Sequence, residues 1–210
     1  MEVLPVDVPK NLSSSSSRSH QEIVLKIEKT RNMTLYMQEG SEQLLSNYVS
    51  LQSVRNSLTE AFHQEEPFGD PDFNPSPQPF PGLPLPTLST TSWLDLSDPE
   101  RLQQNFGAFS NLPEYLTAVK LQQVDLNPEA SELHDLLETS SVHCLGLANN
   151  LKAVMASLGI LPGPVTPAEP PGMEDTFIMK FTGYLICHLY RDWVKRCHKD
   201  MALLAAKYPA

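Results

Sequence analysis

The sequence is poor in glycine and cysteine, and it has no long apolar run. Its 210 residues include 9 glycines against 19 prolines, and 3 cysteines. Because no stretch of about eighteen consecutive apolar residues is present, we expect no insertion into a membrane. Cys144, Cys187 and Cys197 are too few for a disulfide framework, so we expect free, buried thiols.

Positive charge is also scarce, with 15 lysines and arginines against 25 acidic residues and a net charge of −10. A nucleic-acid partner requires a basic surface that neutralises phosphates, so we expect none. Residues 1–20 contain no apolar run typical of a conventional secretory signal, which taken alone favours the cytosol. The serine run within them indicates a disordered leader over 1–20.

The motifs of common catalytic and metal sites are missing as well. There is no glycine-rich phosphate loop, no nucleophile elbow and no His-Glu-x-x-His pair. The dipeptides 187–188 and 197–198 each read Cys-His, but they lie about three turns apart on one predicted helix, too far to share a metal. We therefore expect no enzyme, no metal and no cofactor.

Four segments show the apolar period of a helix, at about 21–62, 98–123, 128–158 and 174–208. Asp98 reads as an N-cap before proline, and Gly159 reads as a C-terminal stop. The last segment has one apolar line in steps of three and four. Its members are Met179, Gly183, Ile186, Tyr190, Trp193, Cys197, Met201, Leu204 and Tyr208.

The lengths of the connections predict the topology. A few residues join the second and third helices, which must therefore run antiparallel. The other two connections are long and proline-rich, and each is long enough to run back along the bundle. The sequence therefore predicts one all-α domain over 21–210, an up-up-down-down long-chain four-helix bundle with two long crossover loops.

Two features do not follow from helix packing. Phe177 projects away from the inner line of its helix and Lys180 lies at the edge of the same polar face, a combination typical of a binding surface. Coverage of Phe177 by a crossover is the alternative. Residues 81–84 (PGLP) have the PxxP form that SH3-type domains bind, although rigid linkers share this composition. A cytosolic scaffold that recruits an SH3-type domain is therefore a second hypothesis, and a small enzyme without a supporting motif is a third.

Two N-glycosylation triplets are present, Asn11-Leu12-Ser13 and Asn32-Met33-Thr34. Asn11 and Asn32 would be modified only if the chain passed through the secretory lumen. Such triplets often arise by chance, so they leave the compartment open.

Four short segments occur in an order and spacing that resemble a known family. They are residues 35–38 (LYMQ), 67–75 (PFGDPDFNP), 155–159 (MASLG) and 203–208 (LLAAKY). With them the chain resembles the interleukin-6-type helical cytokines from the first helix onward, and within these the cardiotrophin subfamily and its neuropoietin-like members.

The resemblance implies a secreted, monomeric cytokine that joins two receptors and activates JAK-STAT signalling. Family members that bind the leukaemia inhibitory factor receptor have an F-x-x-K motif, which here is Phe177 to Lys180. The exposed faces of the first and third helices would bind glycoprotein 130. A third surface would bind the ciliary neurotrophic factor receptor alpha chain, and we place Trp93, Arg196 and Lys199 there. Neuropoietin-like relatives have a signal peptide, so the resemblance also implies an unconventional export route or a different true start.

Overall fold

The computed structural model describes residues 11–54, 80–84, 86, 89–172 and 176–209, and gives only the backbone of 11–16, 52–54, 90 and 177. These residues form five helices and no strand, which confirms the all-α class. The helices are α1 (Asn11–Val54), α2 (Thr90–Leu94), α3 (Asp98–Leu126), α4 (Ser131–Ser157) and α5 (Thr176–Lys207).

The four long helices enclose one core. In α5 the apolar line predicted from the sequence is the buried one, because steps of three and four residues return to the same side of a helix. Its fully buried members include Ile186, Tyr190, Trp193, Cys197, Met201 and Leu204. The three cysteines are buried and free, as predicted. None of the described helices is long and apolar enough to cross a membrane.

Neighbouring long helices run in opposite directions. Near the start of α1, His20 Nε2 lies 3.0 Å from the carbonyl oxygen of Pro209, beyond the end of α5. Near the end of α1, the Tyr48 hydroxyl donates to the carbonyl of Lys180 at the start of α5. Since the start of one helix meets the end of the other, α1 and α5 are antiparallel.

The same holds for the other packed pairs. Their contacts are Asp98–Lys207 and Asn105–Asp200 for α3 with α5, Pro113–Ser141 and Lys120–Glu138 for α3 with α4, and Met33–Asn150 and Tyr36–His143 for α1 with α4. Therefore α1 and α3 point one way while α4 and α5 point the other. These are the directions expected of an up-up-down-down bundle.

The two crossover chains meet on the outer side of α3. The Asn111 side-chain nitrogen donates to the carbonyl of Gly82 in the first crossover at 2.5 Å and to that of Thr166 in the second at 2.8 Å. Gly82 has φ +73°, and a Cβ there would overlap the Thr166 carbonyl oxygen. Glycine therefore allows the two crossovers to pass in contact.

The PxxP segment forms a turn and does not form a polyproline helix. The Leu83 amide donates to the carbonyl of Phe80, and the left-handed Gly82 lies outside the polyproline region. Leu83 is buried, and the Trp193 indole donates to the carbonyl of Pro84 at 2.8 Å. The segment is packed on the bundle, which favours the linker interpretation over the SH3 ligand.

Helix boundaries differ from the prediction in several places. The helix predicted from about residue 21 already begins at Asn11, so the leader prediction is wrong for 11–20. Once a helix has formed, each further residue adds one backbone hydrogen bond, and the costly first turn is not repeated. The helix can therefore extend over residues whose side chains face water. The predicted stretches 1–10 and 55–62 lie outside the described residues. The helices predicted at about 98–123, 128–158 and 174–208 are α3, α4 and α5, and Gly159, at φ +71°, follows α4 as predicted.

The cap of α3 is Ser97, where Asp98 was expected. The Ser97 side chain accepts from the Glu100 amide, and the Glu100 carboxylate accepts from the Ser97 amide at 2.8 Å. This reciprocal pair is a capping box, which satisfies two helix-end donors where Asp98 alone would satisfy one. Asp98 accepts instead from Arg101 and Lys207, each at 2.7 Å.

A buried carboxylate joins α3 to α5. Asp200 is 3% exposed, accepts from the Asn105 amide at 2.6 Å and lies 3.4 Å from Arg101 Nε. Burial raises the pKa of Asp200 to about 6, although the contacts with Asn105 and Arg101 oppose this shift. The folded protein therefore takes up a proton at Asp200 more readily than the unfolded chain does.

This shift predicts how stability depends on pH. As the pH falls through about 6 toward 4, the wild type should gain free energy of unfolding relative to Asp200→Asn, because folded Asp200 binds a proton before unfolded Asp200 does. About two pH units of pKa difference correspond to a gain of at most about 3 kcal/mol. Urea unfolding of both proteins at pH 7, 6, 5 and 4 measures the difference.

Asp98→Asn is the matched control. Burial acts to raise the pKa of Asp98, but hydrogen bonds from Lys207 and Arg101 outweigh it and lower that pKa. The wild type should therefore lose stability relative to Asp98→Asn, the opposite sign, as the pH falls below about 4, so these two proteins are also measured at pH 3. A stability difference for Asp200→Asn that is constant with pH would contradict the assignment.

Candidate functional site

The first turn of α5 is held closely against α1. Tyr48 of α1 is fully buried, and its hydroxyl donates to the carbonyl of Lys180 at 2.9 Å. A Cβ at Gly183 would overlap that hydroxyl, so only glycine allows α5 to approach Tyr48 this closely. The carbonyl of Lys180, at the end of the predicted F-x-x-K motif, is therefore held against α1.

A chain of side chains extends this contact to α3. The Gln123 amide donates to the Tyr48 hydroxyl at 3.3 Å, and the Asn127 amide donates to Gln123 at 2.8 Å. All three residues are buried, so these hydrogen bonds form where water does not compete. Sequence reasoning missed the contact of Tyr48 with Lys180, because the two residues are 132 positions apart.

The predicted pair itself is described only in part. Lys180 is partly buried, and burial lowers the pKa of its ammonium group. Phe177 lies in the first turn of α5, but its side chain is outside the described residues, so its exposure stays a prediction. Ile178 in the same turn is 44% exposed.

The residues predicted for a third surface come together in a basic cleft near the end of α5. The cleft has a volume of about 240 Å³ and is lined by Pro86, Trp93, Asp192, Lys195, Arg196 and Lys199. Three of these residues are cationic. The one carboxylate, Asp192, lies 2.9 Å from Arg191. The cleft therefore favours an acidic partner surface.

Arg196 is the centre of this cleft. Its guanidinium lies 5.7 Å from the ring centre of Trp93 and 5.9 Å from that of Trp193, and it donates to the carbonyl of Pro86. Burial lowers the pKa of Arg196. Trp93 is buried and Lys199 is exposed. Trp93 therefore positions Arg196 by a cation–π contact, and Lys199 offers charge directly to a partner.

Trp93 reaches the cleft because α2 is held at both ends. The Ser89 side chain caps α2 by accepting from the amide of Ser92. The Arg101 guanidinium donates to the carbonyls of Leu94 and Leu96, at 3.3 and 2.6 Å. These bonds fix α2, and with it Trp93, against the start of α3.

Another exposed surface, distinct from the first turn of α5 and from the basic cleft, lies across α1 and α4. Tyr36 is 68% exposed, and its ring meets the ring of His143 edge to face at 5.4 Å. Leu25 and Val142 are also more than half exposed. We define the Tyr36 face as Leu25, Lys29 and Tyr36 of α1 with Val142 and His143 of α4.

Sequence reasoning expected a surface on these two helices but named none of its residues. A signal was available. The buried line of α1 includes Thr34 and Met37, and Tyr36 lies between them on the opposite side of the helix. A large aromatic off the apolar line gains nothing from water, and so indicates a contact surface.

The first turn of α5 and the basic cleft are far apart. Lys180 and Lys199 are separated by about 28 Å along α5 at a rise of 1.5 Å per residue. The Tyr36 face lies on a different pair of helices. Within the described part of the chain, no group of His, Cys, Asp or Glu side chains could hold a metal ion. The first turn of α5, the basic cleft and the Tyr36 face are thus three separate surfaces.

Comparison with known proteins identifies the family of this chain. Residues 12–210 match the family model described as plethodontid receptivity factor. Cardiotrophin-2 of Mus musculus is 33% identical over 184 residues, which cover 85% of this chain and 83% of that protein. Cardiotrophin-1 of Mus musculus is 35% identical over 200 residues, covering 91% and 90%.

Ciliary neurotrophic factor of Mus musculus is more distant, at 25% identity over 131 residues that cover 59% of this chain and 65% of that protein. These relatives are cytokines, and the motif-based resemblance to the cardiotrophin subfamily is confirmed. The chain belongs to the cardiotrophin group of the interleukin-6-type cytokines, which act through cytokine receptors and are not enzymes.

Proposed function

We propose that this protein is a secreted cytokine that joins glycoprotein 130 to the leukaemia inhibitory factor receptor. Joining the two receptors brings their associated Janus kinases together and starts JAK-STAT signalling. The observation that supports this most is the hydrogen bond of the Tyr48 hydroxyl to the carbonyl of Lys180, with the close approach at Gly183, which anchors the end of the F-x-x-K motif to α1. A backbone group that is already anchored loses little entropy on binding.

We assign the F-x-x-K turn to the leukaemia inhibitory factor receptor. Phe177 would insert into an apolar site on the receptor, and Lys180 would pair with an acidic residue beside it. An aromatic with an adjacent cation is a common pair of binding hot spots. Partial burial of Lys180 reduces the water that must be removed when the pair forms.

Phe177→Ala combined with Lys180→Ala should lower affinity for the leukaemia inhibitory factor receptor ectodomain by at least tenfold and abolish signalling in responsive cells. Helicity and melting temperature should stay nearly unchanged, because the backbone contact of Lys180 with Tyr48 is kept. Surface plasmon resonance and circular dichroism measure the two effects. Ile178→Ala, in the same turn, is the matched control.

Full receptor affinity in the double variant would remove the pair from the binding site. A large fall in melting temperature would mean that Phe177 belongs to the core and that a crossover covers it.

We assign the Tyr36 face to glycoprotein 130. The face combines an exposed aromatic, two exposed aliphatic side chains and one lysine on two helices that pack directly against each other. This composition resembles the centre of a protein–protein interface, where aromatic residues are enriched.

Tyr36→Ala should weaken binding to the glycoprotein 130 ectodomain by about tenfold or more, the scale of a hot-spot aromatic. Affinity for the leukaemia inhibitory factor receptor ectodomain should not change, because the F-x-x-K turn lies on another helix. Leu121→Ala removes a side chain of similar exposure, 58%, from α3 and is the control. Equal losses at both receptors would argue against this assignment.

We assign the basic cleft to the ciliary neurotrophic factor receptor alpha chain. Three cations and one carboxylate line the cleft: Asp192 pairs with Arg191 and Lys195 pairs with Glu42, while Trp93 and Trp193 hold Arg196 at the centre. An alpha chain that presents acidic residues would complement this charge.

Lys199→Ala tests the cleft without disturbing Trp93 or Arg196. On cells that express the alpha chain together with both signalling receptors, the concentration for half-maximal STAT phosphorylation should rise severalfold. On cells without the alpha chain, wild type and variant should respond alike. Lys152→Ala removes an exposed lysine from α4 and serves as the control. Equal potency of Lys199→Ala and the wild type on both cell types would exclude this residue from the alpha-chain surface.

A further inference from the structure

Asn32 is the first of three consecutive residues, Asn32 to Thr34, whose side chains face different ways. Met33 packs toward α4, where a Cβ at Gly146 would lie 2.9 Å from its terminal methyl group. Thr34 is fully buried; its hydroxyl donates to the carbonyl of Arg31 and lies 3.1 Å from His198 Nδ1. Asn32 itself is exposed. Asn32, the residue of the N-glycosylation triplet that would carry the glycan, is therefore on the surface, while the threonine of the triplet is in the core.

The outward position of Asn32 is beside the Tyr36 face. Tyr36 follows Asn32 by four residues and Leu25 precedes it by seven, spacings that bring all three to one side of a helix. Asn32 and Tyr36 are therefore about one helical turn, roughly 5–6 Å, apart.

We propose that Asn32 is an N-glycan acceptor whose glycan masks the Tyr36 face, so that glycosylation at this single residue prevents binding of glycoprotein 130. This inference rests on the proposed function of that face. It makes the route of export a determinant of activity, because only a chain that passes through the secretory lumen meets the glycan donor.

The reaction transfers an oligosaccharide from a polyprenyl diphosphate carrier. The side-chain nitrogen of Asn32 forms a bond to C1 of the first sugar, and the bond between C1 and the diphosphate oxygen breaks. The amide nitrogen loses one proton, and the carrier leaves as the free diphosphate. No oxidation or reduction takes place.

The fold determines when this transfer can occur. The threonine hydroxyl of the triplet must be accessible to the transferring enzyme, but in the folded protein Thr34 is buried and hydrogen-bonded. Attachment must therefore precede folding. Because Asn32 points outward, the modified chain still folds, and the bulky glycan then stands above Tyr36.

The test uses the full chain produced in mammalian cells behind a cleavable secretion signal. Three proteins are compared: the wild type, Asn32→Gln, and Asn11→Gln as the matched control at the other triplet. Intact-mass and peptide mass spectrometry give the occupancy of Asn32. Surface plasmon resonance gives affinity for the ectodomains of glycoprotein 130 and of the leukaemia inhibitory factor receptor. Enzymatic removal of the glycan leaves aspartate at the site, so Asn32→Asp is included as its reference.

We expect the Asn32-glycosylated wild type to bind glycoprotein 130 at least tenfold more weakly than Asn32→Gln, with unchanged affinity for the leukaemia inhibitory factor receptor. Deglycosylation should restore affinity to that of Asn32→Asp, and Asn11→Gln should behave as the wild type. If Asn32 stayed unmodified, or if glycoprotein 130 affinity were equal with and without the glycan, the inference would be overturned and the proposed function of the face would stand. If Asn32→Gln, Asn32→Asp and the deglycosylated protein all failed to bind glycoprotein 130, the proposed function of the face would be overturned together with the inference.

Discussion

Both crossover chains depend on two side chains of α3. The Asn111 amide donates to one carbonyl in each crossover, and the Tyr115 hydroxyl donates to Pro81 in the first at 2.6 Å and accepts from the amide of Glu169 in the second. Carbonyls covered by a neighbouring chain and left without a donor would each cost about 1–3 kcal/mol. An up-up-down-down bundle requires two long connections to pass over its surface, and α3 supplies the donors that make this passage stable.

The first crossover then shapes the basic cleft. After Gly82 it continues over α5, where Pro84 accepts from the Trp193 indole and Pro86 accepts from Arg196. It ends in α2, which places Trp93 over Arg196. A cleft whose charged residues lie on one helix is therefore completed by a connection 110 residues earlier in the chain. Changes in this crossover should alter the cleft even where no charged residue is replaced.

The sequence was sufficient for the helices and the core because burial repeats along a helix. Every member of the α5 line from Ile186 to Leu204 is buried, and the short α3–α4 connection correctly predicted antiparallel neighbours. The turn at Gly82 was not predicted, since a PxxP segment looks the same whether it is free or packed. The cap at Ser97 was missed because Asp98 is an equally good cap by residue type, and only the reciprocal bond with Glu100 distinguishes them.

The candidate surfaces were harder to predict for a different physical reason. Residues of a binding surface do not repeat at regular intervals along a helix, as buried residues do. They are recognised as exceptions to the pattern of buried residues, and an exception is visible only where that pattern is clear. Tyr36 stands out once Thr34 and Met37 are known to be buried. The order of the F-x-x-K turn depends on Tyr48 and Gly183, which contribute nothing to the motif itself. The geometry of a candidate contact surface in this bundle is therefore set in part by buried groups far away in the sequence, which the motif of the surface does not contain.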